Sequence, residues 1–295
     1  MLDFKILIIL LILSYFEFKA DNMEITRTDK GYVYKLRGDV FIKTENYEIY
    51  SQIGTYYEDL GISELSGNVL VKGKDYFLKS NYLRYIQKND ELYLSGNVHL
   101  EDSIRIIKAK EVHVKNNFSR AKKDVYIYLK DKKIASEGDS GNYDLNKKEG
   151  KIFNVKYIKI FRDSDTVDIR THYVDIFKEN LKLKPLISLK TMKEFAKGDS
   201  LTYEMLKDST EKITIYNNAF ISWENGEGKA DTIIIYYKHS KIENAQFINN
   251  ADVKTKTQED LISVKSNLVN VEFFESKVKR VICNELIEGI SEKIK

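Results

Sequence analysis

The chain has 295 residues, with 48 Lys and Arg against 45 Asp and Glu and a net charge of +3. Both signs are spread along its length and no basic patch interleaves with aromatics, so the electrostatic footprint of a nucleic-acid binder is missing. A single cysteine, Cys283, excludes an internal disulfide, and a single proline leaves long strands free of a residue that cannot donate to a ladder.

In chain order, Lys5 precedes the apolar run Ile6 to Leu13, which extends through Tyr15 and Phe16. A core of about 11 residues suits a signal peptide and is short for a membrane span. Residues 1–20 are therefore expected to direct export, with cleavage after Ala20; an uncleaved anchor is the alternative. No cysteine follows the run, which argues against a lipoprotein.

Beyond residue 30 one spacing dominates. Leu36-Arg37-Gly38-Asp39-Val40, Leu65-Ser66-Gly67-Asn68-Val69 and Leu94-Ser95-Gly96-Asn97-Val98 begin at positions 36, 65 and 94, a step of 29 residues. A second series, Ser51, Ser80, Ala109 and Gly138, keeps the same step, and Tyr56, Tyr85, Val114 and Tyr143 follow five positions later. Two interleaved series with one period indicate stacked repeats. The second series continues as Asp168, Gly198, Ala230 and Ser266. The first weakens into Lys123-Asp124-Val125, Phe153-Asn154-Val155, Asn218-Ala219-Phe220 and Ala251-Asp252-Val253.

Segments between the anchors alternate with period two and are rich in Val, Ile, Tyr and Thr, as in Val125-Tyr126-Ile127-Tyr128-Leu129. That is the strand signature, and polar clusters such as Lys88-Asn89-Asp90 supply the turns. Two or three strands of five to eight residues are expected in each repeat. Leu286 to Ile294 is the one stretch that reads as a short tail helix. Ile49, Leu78 and Ile107 lie two residues before an anchor and Leu83 and Val112 three after it, so the apolar set switches parity across the anchor. A bulge or bend there would restore the inward direction. Stacked V-shaped turns, each bending at the small Ser, Ala or Gly, follow from this. Pro185 marks the expected boundary between a first half, 21–184, and a second, 185–285, with 286–295 as a tail.

The search for chemistry returns little. The four histidines form no metal set, and no Cys-x-x-Cys, His-Glu-x-x-His or Gly-x-Ser-x-Gly motif is present, so neither metal nor cofactor is expected. Asp139-Ser140-Gly141 and Gly198-Asp199-Ser200 look nucleophile-like, but both fall in anchor turns with no histidine placed to serve them. No catalytic residue is assigned. Trp223 reads as a core or rim residue, with a ligand contact as the sharper alternative.

The recurring unit, a Gly-Asn-Val strand, a small anchor and a Tyr five residues on, resembles the OstA-like, LptA-type family of periplasmic lipopolysaccharide-transport proteins. Leu94-Ser95-Gly96-Asn97-Val98-His99-Leu100 and Gly138-Asp139-Ser140-Gly141-Asn142-Tyr143-Asp144 match its pattern closely. Trp223-Glu224-Asn225, Lys229-Ala230-Asp231-Thr232-Ile233 and Ile248-Asn249-Asn250-Ala251 resemble the Bacteroidota type. Lys123 in place of glycine and Asp168 at an anchor depart from it.

The resemblance implies an all-β jellyroll or β-taco with an apolar slit for lipopolysaccharide acyl chains. It also implies a non-enzymatic role and a periplasmic location. Edge strands would pair with transport partners of the inner and outer membranes or with further copies head to tail. Slit-facing candidates are Val40, Ile49, Val69, Leu78, Leu83, Val98, Ile107 and Val112; Gly38, Gly67, Gly96, Ser51, Ser80, Ala109 and Gly138 are structural anchors. The short stretch after Cys283 leaves no room for an outer-membrane barrel, which points to the soluble bridge component first and the inner-membrane-anchored one second. The rival classes are a structural β-solenoid, favoured by a closed core, and a polysaccharide-acting β-helix enzyme, favoured by an acidic groove.

Overall fold

A computed structural model describes residues 17–293, apart from residues 30, 44–46, 117, 145, 148, 164, 178–179, 207–209 and 258. The apolar run Ile6 to Phe16 lies outside the described residues. The chain divides into two compact units, residues 1–150 and 151–295. Pro185 thus falls within the second unit.

Among the described residues the regular structure is strand, relieved by one turn of 3-10 helix at Gln87–Asn89. The first unit contains β1 (Glu17–Lys19), β2 (Asn22–Thr28), β3 (Gly31–Lys43), β4 (Glu48–Tyr57), β5 (Ile62–Lys72), β6 (Tyr76–Ile86), β7 (Glu91–Asp102), β8 (Arg105–Lys115), β9 (Phe118–Leu129) and β10 (Ile134–Asp144). From β2 to β10 each strand pairs antiparallel with the next, while β1 adds to the far end of β3.

The second unit is built from β11 (Glu149–Phe161), β12 (Thr166–Phe177), β13 (Asn180–Lys190), β14 (Phe195–Lys197), β15 (Ser200–Met205), β16 (Glu211–Trp223), β17 (Gly226–Lys238), β18 (Lys241–Lys256), β19 (Asp260–Phe274) and β20 (Lys277–Lys293). Here β13 pairs with β12, β14 and β15, and an antiparallel meander runs from β16 to β20.

Most strands are 10 to 17 residues long, not the expected five to eight. Alternate long strands are divided by a bulge, written in β3, β5 and β7 as the Gly-Asn/Asp-Val element. Gly67 and Asn68 both take left-handed φ, 78° and 51°, as do Gly96 and Asn97 (73° and 51°) and Gly38 and Asp39 (74° and 39°). The ladder slips there: Ser66 pairs with Tyr82 and Val69 with Ser80, so two residues of β5 oppose Asn81 alone. A bulge of this kind kinks the strand. The same left-handed pair recurs at Lys123-Asp124, Asn217-Asn218 and Asn249-Asn250.

The small anchor sits across the crease, paired with the residue that follows the bulge: Val40 with Ser51, Val69 with Ser80, Val98 with Ala109, Ala219 with Ala230 and Ala251 with Ser266. These anchors are buried, and Ser266 is wholly so. At two of these anchors the side-chain hydroxyl donates to the backbone carbonyl two residues on in its own strand. Ser51 Oγ donates to Ile53 O at 3.2 Å and Ser266 Oγ to Leu268 O at 3.2 Å. Ala109 holds the same place without one, so small size is the common requirement.

One anchor is displaced. Asp168 and Tyr173 point outward, whereas Thr171 is buried and donates to Tyr173 O at 3.1 Å and to Pro185 O at 2.9 Å. Thr171 is the anchor of that repeat. The bend beside it uses another device: a register shift in the β12–β13 ladder near the cis Lys184–Pro185 bond, beside the break between β14 and β15 at Gly198-Asp199. The expected tail helix is a strand instead, because Leu286, Glu288 and Gly289 continue the β19–β20 ladder opposite Ser266, Lys265 and Val264.

A β-carbon at Gly96 would need a left-handed φ of 73° and would stand 2.7 Å from Asn81 Cβ. Gly96→Ala is expected to lower unfolding stability by about 1–3 kcal/mol, measured by urea midpoint. Lys123→Gly, at the equivalent bulge, is expected to stay within about 0.5 kcal/mol of native.

Candidate functional site

Within each unit the bend divides the long strands into two arms whose inward residues share an interior. In the first unit the inward pairs are Ile42–Ile49 and Val71–Leu78 on one side of the crease and Leu65–Leu83 on the other, with Leu100–Ile107 and Leu94–Val112 in the next repeat. Ile49, Leu65, Val69, Val71, Leu78, Leu83, Val98 and Leu100 form a buried cluster, and Ile107 and Val112 pack partly buried against it. Val40 is buried in the same unit. All eight slit candidates therefore face inward. The interior is covered at these positions: Leu78 is 0% exposed and Val69 1%. Toward the arm ends, Tyr47 and Tyr76 pack with ring centroids 6.0 Å apart, and burial pushes the Tyr85 hydroxyl up to about 12.

The outer surface is different in kind. A cleft of about 330 Å³ on it is lined by polar and charged side chains including Arg84, Glu91, His113, Arg120 and Lys122. His113 Nε2 lies 2.6 Å from Glu91 Oε1, and that contact, with Lys115 beside it, holds the Glu91 carboxyl below its ordinary value. Among the described residues no group of three or more His, Cys, Asp or Glu could hold a metal. No helix there is long and apolar enough to cross a membrane, which says nothing about strands.

In the second unit, Leu183, Leu201, Ile213, Ile215, Ile233, Ile235, Phe247 and Val271 are fully covered. At the rim this interior changes character. Along β11 the inward alternation Ile158, Ile160 runs on to Arg162, and along β16 Ile215 and Ile213 run back to Glu211. The strand ends meet: Arg162 Nη2 lies 2.6 Å from Glu211 Oε2, and Arg162 Nε is 3.2 and 3.1 Å from the two carboxylate oxygens. The side chains are 3% and 12% exposed. Arg162 also stacks on Tyr237, 4.1 Å from the ring centroid. Burial opposes its charge, but Glu211 outweighs burial and keeps the guanidinium pKa raised.

The same rim holds Glu194, whose carboxyl accepts from Thr191 Oγ1 and is pushed up chiefly by burial. Burial likewise raises Tyr203 and Tyr237. Trp223 is 7% exposed between Phe273, at 5.7 Å, and Phe247, at 6.3 Å, which fits a rim residue of the core. Sequence reading singled out none of Arg162, Glu194, Glu211, Tyr203 and Tyr237 as functional. The available signal was a charge on the inward parity at each of two strand ends, but nothing in sequence pairs two ends 49 positions apart.

The raised Glu194 carboxyl gives a pH prediction with a definite sign. A carboxyl whose folded pKa lies above its unfolded value contributes stability in full below about 4.5, and that contribution is lost as pH rises through the folded value. Native protein should lose stability relative to Glu194→Gln as pH rises above about 4.5, measured by urea midpoints. Parallel profiles would contradict it.

No protein-family model and no curated protein matches the chain. Among solved structures it is similar to that of LptH from Pseudomonas aeruginosa, the LptA-homologous periplasmic component of a lipopolysaccharide transport device. The identity is 14% and the TM-score 0.30, over 42% of this chain and 82% of that one.

Proposed function

We propose that this protein is a non-enzymatic periplasmic carrier that accommodates acyl chains of lipopolysaccharide between the two arms of its bent strands. The observation that supports this most is the continuity of the inward stripe. Val40, Ile49, Val69, Leu78, Val98 and Ile107 recur through successive repeats and all turn to one interior. An apolar stripe shared by many repeats suits a long chain of methylenes, each contributing about 0.8 kcal/mol when buried. The covered interior means that lipid access requires the arms to part.

Edge strands support the bridging half of the reading. In the first unit β2 is exposed at every residue and pairs with β3. In the second, β20 pairs with β19 and carries the exposed Leu286, Ile287 and Ile290. Strands with one partner template strand addition by a neighbouring protein or by a further copy. The other reading with an observation of its own is a structural β-solenoid, favoured by the closed packing around Leu78.

Photo-crosslinking in cells separates the two. A photoreactive residue at Ile49, Leu78 or Ile107 should yield lipopolysaccharide adducts, with none at the outward neighbours Glu48 and Lys79. Folded, exported protein with no adduct at any inward position would leave the structural solenoid.

A further inference from the structure

The second unit carries a contact that its apolar interior does not need. Two charges stand on inward-facing positions where the alternation on either side supplies isoleucine, Ile158 and Ile160 before Arg162 and Ile213 and Ile215 after Glu211. A buried ion pair seldom adds stability over apolar residues of similar size, because both charges must leave water. Its geometry is nevertheless closely defined: two-pronged between guanidinium and carboxylate, with the guanidinium flat on Tyr237.

The location gives it meaning. Arg162 directly follows β11, on the arm whose neighbouring tips are the turns at 191–194 and 224–225. Glu211 opens β16, on the opposite arm, whose neighbouring tips are at 239–240 and 275–276. Three further ion pairs of this unit, among others, join neighbouring strands within one arm: Lys159–Asp168, Lys229–Asp252 and Arg280–Glu272. Arg162–Glu211 spans the mouth between arms. Trp223, at the tip of the first arm, packs edge-on at 85° against Phe273 of the second and continues the closure.

We propose that Arg162 and Glu211 form a clasp that holds the mouth of the second unit shut, and that releasing it opens the interior to a single-chain apolar ligand such as an acyl tail. A charge pair suits this task because it separates into water with both ions solvated, whereas an apolar seal would leave both surfaces exposed. The ligand class rests on the carrier reading above; the clasp itself does not.

Trp223 is the chain's only tryptophan and lies in the same mouth, so its fluorescence reports closure directly. In the full chain, Glu211→Gln should raise iodide quenching of Trp223 several-fold and create saturable uptake of the apolar probe N-phenylnaphthylamine. The double variant Arg162→Met with Glu211→Leu, which covers the mouth without charge, should stay as sealed as native. Arg162→Lys keeps a charge but loses the two-pronged contact and the flat stacking. It should open partly, and it carries the test if Glu211→Gln does not fold by circular dichroism. Folded single variants with native quenching and no probe uptake would overturn the clasp. The two readings fail separately. Variants that admit the probe while lipopolysaccharide crosslinks at no inward position keep the clasp and lose the carrier. Crosslinks at Leu78 with sealed single variants do the reverse.

Discussion

Everything in this fold depends on a crease that lets one strand serve two faces. A pleated strand keeps its inward side by alternation, and a bend would throw that side outward unless a residue were gained or lost. The Gly-Asn pair supplies the extra residue in a left-handed conformation that glycine and asparagine tolerate best. The partner strand needs a side chain small enough to sit inside the fold, which Ser80, Ala109 and Ser266 provide. Repeated along the strands of each unit, the pair of rules gives each unit an interior built from many short half-strands.

The interior so made has no large polar demand, which is why the rim of the second unit stands out. Removing one partner of a buried ion pair costs about 3–5 kcal/mol, so Arg162 and Glu211 are each dependent on the other. Glu194, Tyr203 and Tyr237 share their surroundings, and the charges of Arg162 and Glu211 bear on both tyrosines. A polar cluster is a poor filler for a core and a good fastening for an opening. The first unit offers the contrasting case of the long apolar stripe through Val69 and Leu78.

Much of the fold was legible because the crease leaves a sequence mark at a fixed step. Gly38, Gly67 and Gly96 mark the repeat at its step of 29, and the parity switch between Leu78 and Leu83 points to a bulge or bend. The bend itself was placed on the anchor, while the unusual backbone lies across from it, since sequence gives spacing but not which strand carries the extra residue. Asp168 reads as an anchor by its step of 30 from Gly138 and its offset of five from Tyr173, whereas burial gives that place to Thr171. The tail read as a helix because Leu286, Ile287 and Ile290 lie at helical spacing, and the β19 ladder overrides that local preference. All eight slit candidates were placed on the inward side, but packing density is not written in periodicity, so the closure of the interior was out of reach. The clasp was hidden for the same reason: its partners meet only after several strands have folded between them.

A distance across the first unit's mouth tests most directly whether lipid lies between the two arms. Lys72→Cys and Asp59→Cys place spin labels at exposed positions near the tips of opposite arms, in a Cys283→Ser background. Pulsed electron paramagnetic resonance with lipopolysaccharide added should show the distance distribution move to longer values and saturate as the arms part around acyl chains. A distribution unchanged at saturating lipopolysaccharide would contradict a carrier that works by opening.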